Sequence, residues 1–512
     1  MAIVTPLETA PGARRRLQLS SPATLEPIGE IEVQTSEDAR FAVEAARKAQ
    51  PAWGALPFEA RARCMTRALG MLLERQDEIV DVVVRESGKP RSEAIMMAIF
   101  ASCDALTYYA KRARRILRPE KRKLHGLLRL SKSLRIVYRP LGVVGVISPW
   151  NAPVILSLNP CVQALMAGNA VILKPSEATP FSGRLVGEIF EAAGLPDGVL
   201  QVLTGDGETG AALCEAGVDK ISFTGSVETG RKVAEVCARR LTPCTLELGG
   251  KDPMIVCSDA DLDAAARGAV VGAFLNTGQI CCGTERIYVV DDVAGAFTDK
   301  VVKCAAELRQ GDDGEFDVGA VFQDRQLAII EDHVADAVSK GAKVLAGGRR
   351  NPELKGLYYE PTVLTHVTHD MKIMREETFG PILPIMRVRD EEEAILCAND
   401  TPYGLGANVW TNDTRRGVDL ARRIDSGSVC VNDVTMTYRA AEAPFGGRKQ
   451  SGIGQVNGEV GLKGYCYAQP ILTDRWGGRR TPGQYPYSAK NDARMKRLIR
   501  FLYATPLGRW LS

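Results

Sequence analysis

The sequence predicts an α/β fold in two successive domains, each a parallel sheet covered by helices. Three observations carry this prediction. Short strand-like runs rich in Val and Ile alternate with helix-period segments, first over "LGVVGVISPW", "AVILKPS", "GVLQVLTG" and "KISFTGS". A second alternating series begins near Leu246 and runs through "PMIVCS", "RIYVVDD", "AKVLAGG", "YYEPTVL", "LPIMRV" and "SGSVCVN". Strands separated by helices rather than by tight turns pair in parallel, with helices on both faces of the sheet. At 512 residues, 45% hydrophobic and 25% charged, the chain can build a large core in two to four domains.

Ahead of the first series, residues 36 to about 117 read as covering helices. "SEDARFAVEAARKAQPAWGAL" opens with Ser-x-Asp, a helix-start pattern. "EARARCMTRALGMLLERQDEIVDVVVRES" repeats apolar residues at three-to-four spacing until Gly88-Lys-Pro90 stops it. Within the first series a helix is expected from about Phe181 to Ala193. Near the C-terminus "CYAQPILTD" reads as one last strand, "WGGRRTPGQYPY" as a Pro/Gly-rich linker, and the remainder as a short helix. No internal repeat or low-complexity segment interrupts this order.

Composition excludes several classes. The 13 cysteines lack the paired spacing of a disulfide scaffold, and a chain this long needs no staples, so a reducing compartment is expected. No run of eighteen apolar residues appears and the N-terminal stretch lacks a signal-peptide core, so the expectation is a cytoplasmic protein. Net charge is +3, but residues 476–512 hold eight Lys/Arg against only Asp492, and residues 111–139 hold twelve against only Glu120. The latter run contains Tyr138 but no interleaved aromatics for stacking bases, so nucleic acid is not an expected partner.

Three segments are candidate phosphate cradles. Gly205-Asp-Gly-Glu-Thr-Gly210 fits Gly-x-Gly-x-x-Gly, yet the following strand ends in Thr224-Gly225-Ser226 rather than an acid, which favours a plain turn. In "FTGSVETGRKV", Gly225 and Gly230 bracket a helix start whose free amides suit a pyrophosphate; a simple strand-to-helix turn is the alternative. In "ILKPSEA" a strand delivers Lys174, a proline turns the chain outward, and Glu177 gains reach for two ribose hydroxyls.

"LNTGQICCGTER" places Cys281 and Cys282 side by side. A cysteine is most often a small buried hydrophobe, and adjacent cysteines neither bridge readily nor share a zinc ion without helpers. Of the four histidines, none is near Cys281 in sequence, so a metal site and a Cys/His nucleophile pair both have weak support and no metal is expected.

Seven motifs in order, "SPWNAP", "LKPSE", "FTGSVETG", "LELGGKDP", "GQICC", "EETFGP" and "PFGGRKQSGIG", resemble the aldehyde dehydrogenase superfamily over about residues 36–471. The resemblance implies a Rossmann-like cofactor domain (1–120 and 141–246) and an α/β catalytic domain (247–445). It also implies a small β oligomerisation element (121–140 and 446–475), followed by a basic linker and amphipathic helix (476–512). Gly-Gln-x-Cys carries the nucleophile in its fourth position, Cys281, with Cys282 a neighbour. A thiolate suits attack on an aldehyde because a thiol lies closer to ionisation than a hydroxyl. The Asn151 side chain and the Cys281 backbone N–H are the implied donors to the resulting oxyanion. Hydride transfer to a nicotinamide leaves a thioester, and Glu247 is the implied base for its hydrolysis.

The resemblance also implies a cofactor set. Lys174 and Glu177 clamp the adenosine ribose, Gly225, Ser226 and Gly230 belong to the pyrophosphate turn, and Glu377 holds the nicotinamide-side ribose. Phe379 packs beside the cofactor, and Trp150 joins the same set. Because a carboxylate at Glu177 repels a 2′-phosphate, NAD is favoured, with NADP left possible through Lys174.

Family members acting on succinic semialdehyde typically carry an arginine eight residues after the catalytic asparagine; here that position is Asn159. The apolar Val154, Ile155, Leu156 and Leu158 suggest a greasy tunnel and a lipophilic aldehyde, long-chain or isoprenoid-type. Arg439 keeps a small acidic semialdehyde open. Coenzyme-A-acylating relatives usually lack the base at the Glu247 position. A non-catalytic basic scaffold on the same fold is the remaining alternative. Met495, Leu498, Ile499 and Leu502 share one helical face, so the tail is expected to touch an anionic membrane surface or a protein partner. A homodimer or homotetramer is implied.

Overall fold

Two sheets organise the chain, as the strand–helix alternation predicts. The computed structural model describes residues 3–7, 13–475, 477 and 485–511. Most of the expected linker at 476–487, and part of the N-terminal stretch read for a signal peptide, lie outside the described residues.

The first sheet runs Gly452–Ile453, Cys244–Glu247, Lys220–Thr224, Val143–Ile147, Ala170–Lys174, Leu200–Val202 from edge to edge. All neighbours are parallel except the Gly452–Ile453 strand. From the central Val143–Ile147 strand the chain winds outward through the strands at 170 and 200, then crosses to the other side through those at 220 and 244. The reversal opens a crevice at the carboxyl ends of Val143–Ile147 and Lys220–Thr224, where ligands of doubly wound sheets sit. Val144, Val146, Val171 and Leu173 bury one face of the sheet. Val143, Ile172, Ile221 and Leu246 bury the other. This two-sided burial is why the strands read as continuous apolar runs.

The second sheet runs Lys343–Ala346, Thr362–Thr365, Ile382–Val388, Thr284–Val290, Asp252–Val256, Asn408–Trp410, Cys430–Val431. Met254, Val256, Ile287 and Val289 fill one face and Ile255, Tyr288 and Val290 the other. Lys343–Ala346 pairs antiparallel with Thr362–Thr365, an exception to the parallel expectation. Leu248-Gly249-Gly250 links the carboxyl end of a first-sheet strand directly to the amino end of a second-sheet strand. A third, antiparallel sheet pairs Lys132–Pro140 with Cys466–Asp474 on one side and Glu120–Arg122 on the other.

The helical region is broken where expected: Gly88, with φ 65°, ends the helix Gln76–Ser87. The first helix, Ser36–Ala55, is capped one residue ahead of its Ser-x-Asp pattern, by a reciprocal box between Thr35 and Asp38. Nothing in the sequence reading anticipated the antiparallel sheet Val4–Leu7, Arg16–Ser20, Pro27–Glu32. Pro6, Pro27 and Gly29 interrupt its alternation, and its core among the described residues is the small cluster Leu17, Leu19, Ile31 and Val33.

Candidate active site

A cleft of about 720 Å³ opens between the two main sheets, and of the expected catalytic and cofactor residues all but Gly230 line it. From the first sheet come Trp150 and Asn151 after Val143–Ile147, Lys174 and Glu177 after Ala170–Lys174, Gly225 and Ser226 after Lys220–Thr224, and Glu247 ending Cys244–Glu247. From the second come Cys281, just ahead of Thr284–Val290, and Glu377 and Phe379 ahead of Ile382–Val388. Gly230 lies outside the cleft lining. A Cβ there would lie 2.5 Å from the Leu248 side chain, so glycine serves the packing of the helix Val227–Arg240 and does not face the cleft.

The loop carrying Cys281 is held in an uncommon backbone shape. Asn276, Thr277 and Gly278 all lie in the left-handed region, at φ 54°, 58° and 72°. For a β-branched threonine this conformation is strained and persists only where its surroundings enforce it. Glu93 Oε1 accepts the Asn276 N–H at 2.9 Å, and Asn276 Nδ2 donates to the carbonyls of Asn151 and Gln279, both at 3.0 Å. Gln279 Oε1 in turn accepts the Phe322 N–H at 2.8 Å. A Cβ at Gly278 would come within 2.0 Å of the Gly380 carbonyl, so only glycine fits.

Asn151 sits on the same lattice. Its Nδ2 donates to the Gln279 carbonyl at 3.0 Å, and its own carbonyl accepts from buried Lys89 Nζ at 2.7 Å. Its Oδ1 is buried without a partner. Lys89 and Glu93 were not anticipated as site residues; Gly88-Lys-Pro90 was read only as a helix stop. Burial pushes the Lys89 ammonium down and the Glu93 carboxyl up from their usual ranges.

Glu247 is 6% exposed and neither carboxylate oxygen has a hydrogen-bond partner. Burial chiefly, and Cys281 secondarily, hold its pKa well above the usual glutamate range. The adjacent Cys281 chiefly, together with burial, holds the Cys282 thiol well above its ordinary value. Buried Asp252 lies behind Cys282, and burial lifts its pKa to about 8.

On the opposite side of the cleft, Lys174 Nζ pairs with Glu177 Oε2 at 3.1 Å, and burial lowers the lysine's pKa. Ser226 caps the helix Val227–Arg240 by accepting from Thr229 N, which aims that helix's remaining first-turn amides at the cleft. Glu377 Oε1 accepts the Gly250 N–H at 2.9 Å, and a Cβ at Gly249 would lie 2.3 Å from Glu377 Oε2. Burial and Glu285 raise the Glu377 pKa. Glu285 also accepts the amides of Thr378 and Phe379, each at 2.8 Å, while pairing with buried Lys251 at 2.6 Å. Trp150 stacks on Phe322 at 4.6 Å and meets Phe379 edge-on at 5.6 Å. The Gly-x-Gly-x-x-Gly segment is a helix start, with Asp206 capping Gly207–Glu215; Gly207 and Gly210 border the cleft.

The wall beyond Cys281 and Cys282 is aromatic. Tyr438 and Phe445 pack there edge-to-face at 5.1 Å. Asn159, 4% exposed, donates to Asn457 Oδ1 at 2.8 Å, and Asn457 Nδ2 donates to the Tyr438 carbonyl at 2.8 Å. Arg439 lies over the Phe100 ring at 4.4 Å. All four apolar residues expected to shape the tunnel, Val154, Ile155, Leu156 and Leu158, are buried in the core, and of them Leu156 also borders the cleft.

Residues 9–471 match the model of the aldehyde dehydrogenase family. A 4,4'-diapolycopene aldehyde oxidase from Methylomonas sp is 42% identical over 457 residues, covering 89% of this chain and 86% of that one. A putative succinate-semialdehyde dehydrogenase [NADP(+)] 2 from Mycobacterium ulcerans is 40% identical over 455 residues, covering 88% and 87%. Among solved structures, a Mycobacterium tuberculosis aldehyde dehydrogenase complexed with NAD+ is similar at a TM-score of 0.86 and 34% identity, covering 93% of this chain and 98% of that one.

Proposed function

The chain belongs to the aldehyde dehydrogenase family, and from that premise we propose that it oxidises a lipophilic aldehyde to the carboxylic acid, with Cys281 as nucleophile and NAD as cofactor. One observation carries the reading. The unpartnered Glu247 carboxylate and the Cys281 thiol reach one cleft from two different sheets, beside groups suited to a dinucleotide.

The cleft residues fit such a cofactor. A helix start and the Lys174 ammonium suit a diphosphate, and Glu177 and Glu377 offer carboxylates to two sugars. A bound nicotinamide dinucleotide supplies the hydride acceptor. Cys281 attacks the aldehyde carbon, and the Asn151 amide, anchored through Gln279 and Lys89, donates to the oxyanion as charge develops. Once the substrate is oxidised, Cys281 carries an acyl group in thioester linkage. Glu247 then removes a proton from the water that releases the acid, and its raised pKa brings it closer to the working range of a general base.

Two features support an apolar substrate. Asn159 is tied into an amide chain with Asn457 and offers no cation to a carboxylate, and Arg439 is occupied by Phe100. The similarity to a diapolycopene aldehyde oxidase points the same way. For the cofactor, Glu177 at the ribose position favours NAD over NADP. An exposed edge strand, Cys466–Asp474, with Ile471 44% and Leu472 54% exposed, suits pairing in a homo-oligomer, dimer or tetramer. No described helix is long and apolar enough to cross a membrane; a cytoplasmic enzyme touching lipid through its basic C-terminal helix fits the substrate reading.

An aldehyde panel graded by chain length and terminal charge, with NAD and with or without coenzyme A, tests the reading by NADH absorbance and product identity. Long apolar aldehydes giving free acid are expected. Preference for a short acidic semialdehyde, or product found only as acyl-CoA, refutes it.

A further inference from the structure

Beyond the family match, which ends at residue 471, the chain builds a separate element: a helix Ala489–Ala504 folded back against a second, Pro506–Leu511. Two interactions define the fold-back. Thr505 Oγ1 donates to the Phe501 carbonyl at 2.7 Å and accepts the Gly508 N–H at 3.0 Å. At Gly508 a Cβ would lie 1.8 Å from the Phe501 carbonyl, so the close approach requires glycine. Among its described residues Leu502 is the one buried large side chain, at 7% exposure, with Gly508 buried beside it.

The rest of the apolar surface is left open. Ile499, Tyr503, Leu507 and Trp510 are 49%, 63%, 60% and 78% exposed. At 100° per residue, Met495, Leu498, Ile499 and Leu502 centre on one face of the longer helix, and Lys496, Arg497 and Arg500 on the opposite face. Elsewhere many surface arginines are paired, as Arg75 is with Glu78, Arg350 with Glu331 and Arg309 with Asp317, though others, Arg40, Arg85 and Arg231 among them, stand exposed. By contrast, Lys490, Arg494, Lys496, Arg497 and Arg500 make no ion pair among the described residues. Where the last strand ends, Arg475 N donates to the Ser131 carbonyl, beside Leu128 and Leu130, each 53% exposed.

We propose that this helical hairpin docks the enzyme on an anionic lipid surface, with Ile499, Tyr503, Leu507 and Trp510 entering the headgroup boundary and the flanking cations meeting acidic headgroups. The chemistry favours lipid over a protein partner. An apolar rim ending in Tyr and Trp, flanked by unpaired cations, matches an interface that is apolar below and anionic above. The pairing of such an anchor with an enzyme for lipophilic aldehydes rests on the functional reading above, but vesicle binding is measured without substrate and so stands or falls separately.

The test is co-sedimentation of the full chain with vesicles of phosphatidylcholine alone or mixed with phosphatidylglycerol. Binding to the anionic vesicles only, reversed by high salt, is expected. Arg497→Glu with Arg500→Glu removes two cations and is expected to weaken binding at least about tenfold. Trp510→Ser weakens it several-fold, and NADH production from a water-soluble aldehyde is unchanged in both variants. Wild-type protein remaining in the supernatant, or variants binding equally well, overturns the proposal. So does a change of molecular mass in light scattering without a change in vesicle binding, which assigns the hairpin to a subunit interface.

Discussion

A carbonyl attacked by sulfur places negative charge on an oxygen that water no longer solvates, so the donors waiting there decide the rate. Asn151 is the proposed donor, and its geometry is set by its neighbours rather than by its own flexibility: the Gln279 carbonyl holds the side-chain amide and Lys89 the backbone carbonyl. Replacing it, Asn151→Ala, is expected to lower kcat by roughly 10²–10³ with the fold intact; steady-state NADH production and circular dichroism read the two parts. Glu247 gives the second residue-level prediction. Its pKa is raised by burial, so the proportion of active base grows as pH rises through that elevated value, and acyl-enzyme release slows below it. In Glu247→Gln this acid limb should vanish and the acyl-enzyme should accumulate, seen as an NADH burst followed by a slow steady state; unaltered turnover excludes the base role. Stability carries the matching sign. A carboxyl whose folded pKa is raised loses stability as pH rises through it, so the Gln variant should gain relative stability at alkaline pH. Cys281 and Glu247 were legible because their motifs are short and local. Lys89 and Glu93 were not, since nothing in "GKPRSE" signals that a buried lysine and a half-buried glutamate support a loop nearly two hundred residues away.

At the scale of elements, the loop bearing Glu377 and Phe379 depends on one buried ion pair. Lys251 immediately precedes the Asp252–Val256 strand and Glu285 lies in the neighbouring strand; Lys251 donates to the Thr378 hydroxyl while Glu285 accepts the Thr378 and Phe379 amides. Removing one partner leaves the other charge uncompensated, so Lys251→Met is expected to cost about 3–5 kcal/mol of stability, measured by urea unfolding. It should also raise the KM for the dinucleotide more than that for the aldehyde, because the loop it frees carries Glu377. Equal effects on both constants contradict a positioning role. The two main sheets were legible because burial on both faces writes strands as unbroken apolar runs. The N-terminal sheet was not: its core among the described residues is the small cluster Leu17, Leu19, Ile31 and Val33, and prolines sit at positions an edge tolerates.

For the whole molecule, the cleft is a junction: the first sheet supplies Lys174, Glu177 and Ser226, the second Glu377 and Phe379. A ligand touching both stabilises the native chain over the unfolded one by mass action, about 2.7 kcal/mol at one hundred times its dissociation constant. At about 2.1 cal/mol/K of unfolding entropy per residue, a 512-residue chain shifts its midpoint by only about 1 °C per kcal/mol, so NAD at that concentration should raise Tm by roughly 2–3 °C. NADP should raise it less. Its additional phosphate meets the Glu177 carboxylate, and Lys174 can neutralise that phosphate only by leaving its 3.1 Å contact with the same glutamate. Glu177→Ala should therefore narrow the difference between the two shifts by strengthening the NADP response, not by weakening the fold. Thermal unfolding followed by intrinsic fluorescence resolves the comparison in one series, with wild type and variant each scanned alone and with either dinucleotide. Equal shifts in the wild type remove Glu177 as the discriminating group. A wild-type shift with neither cofactor detaches the cleft from dinucleotide binding altogether, leaving Glu177, Ser226 and Glu377 as structural residues of a junction between two sheets.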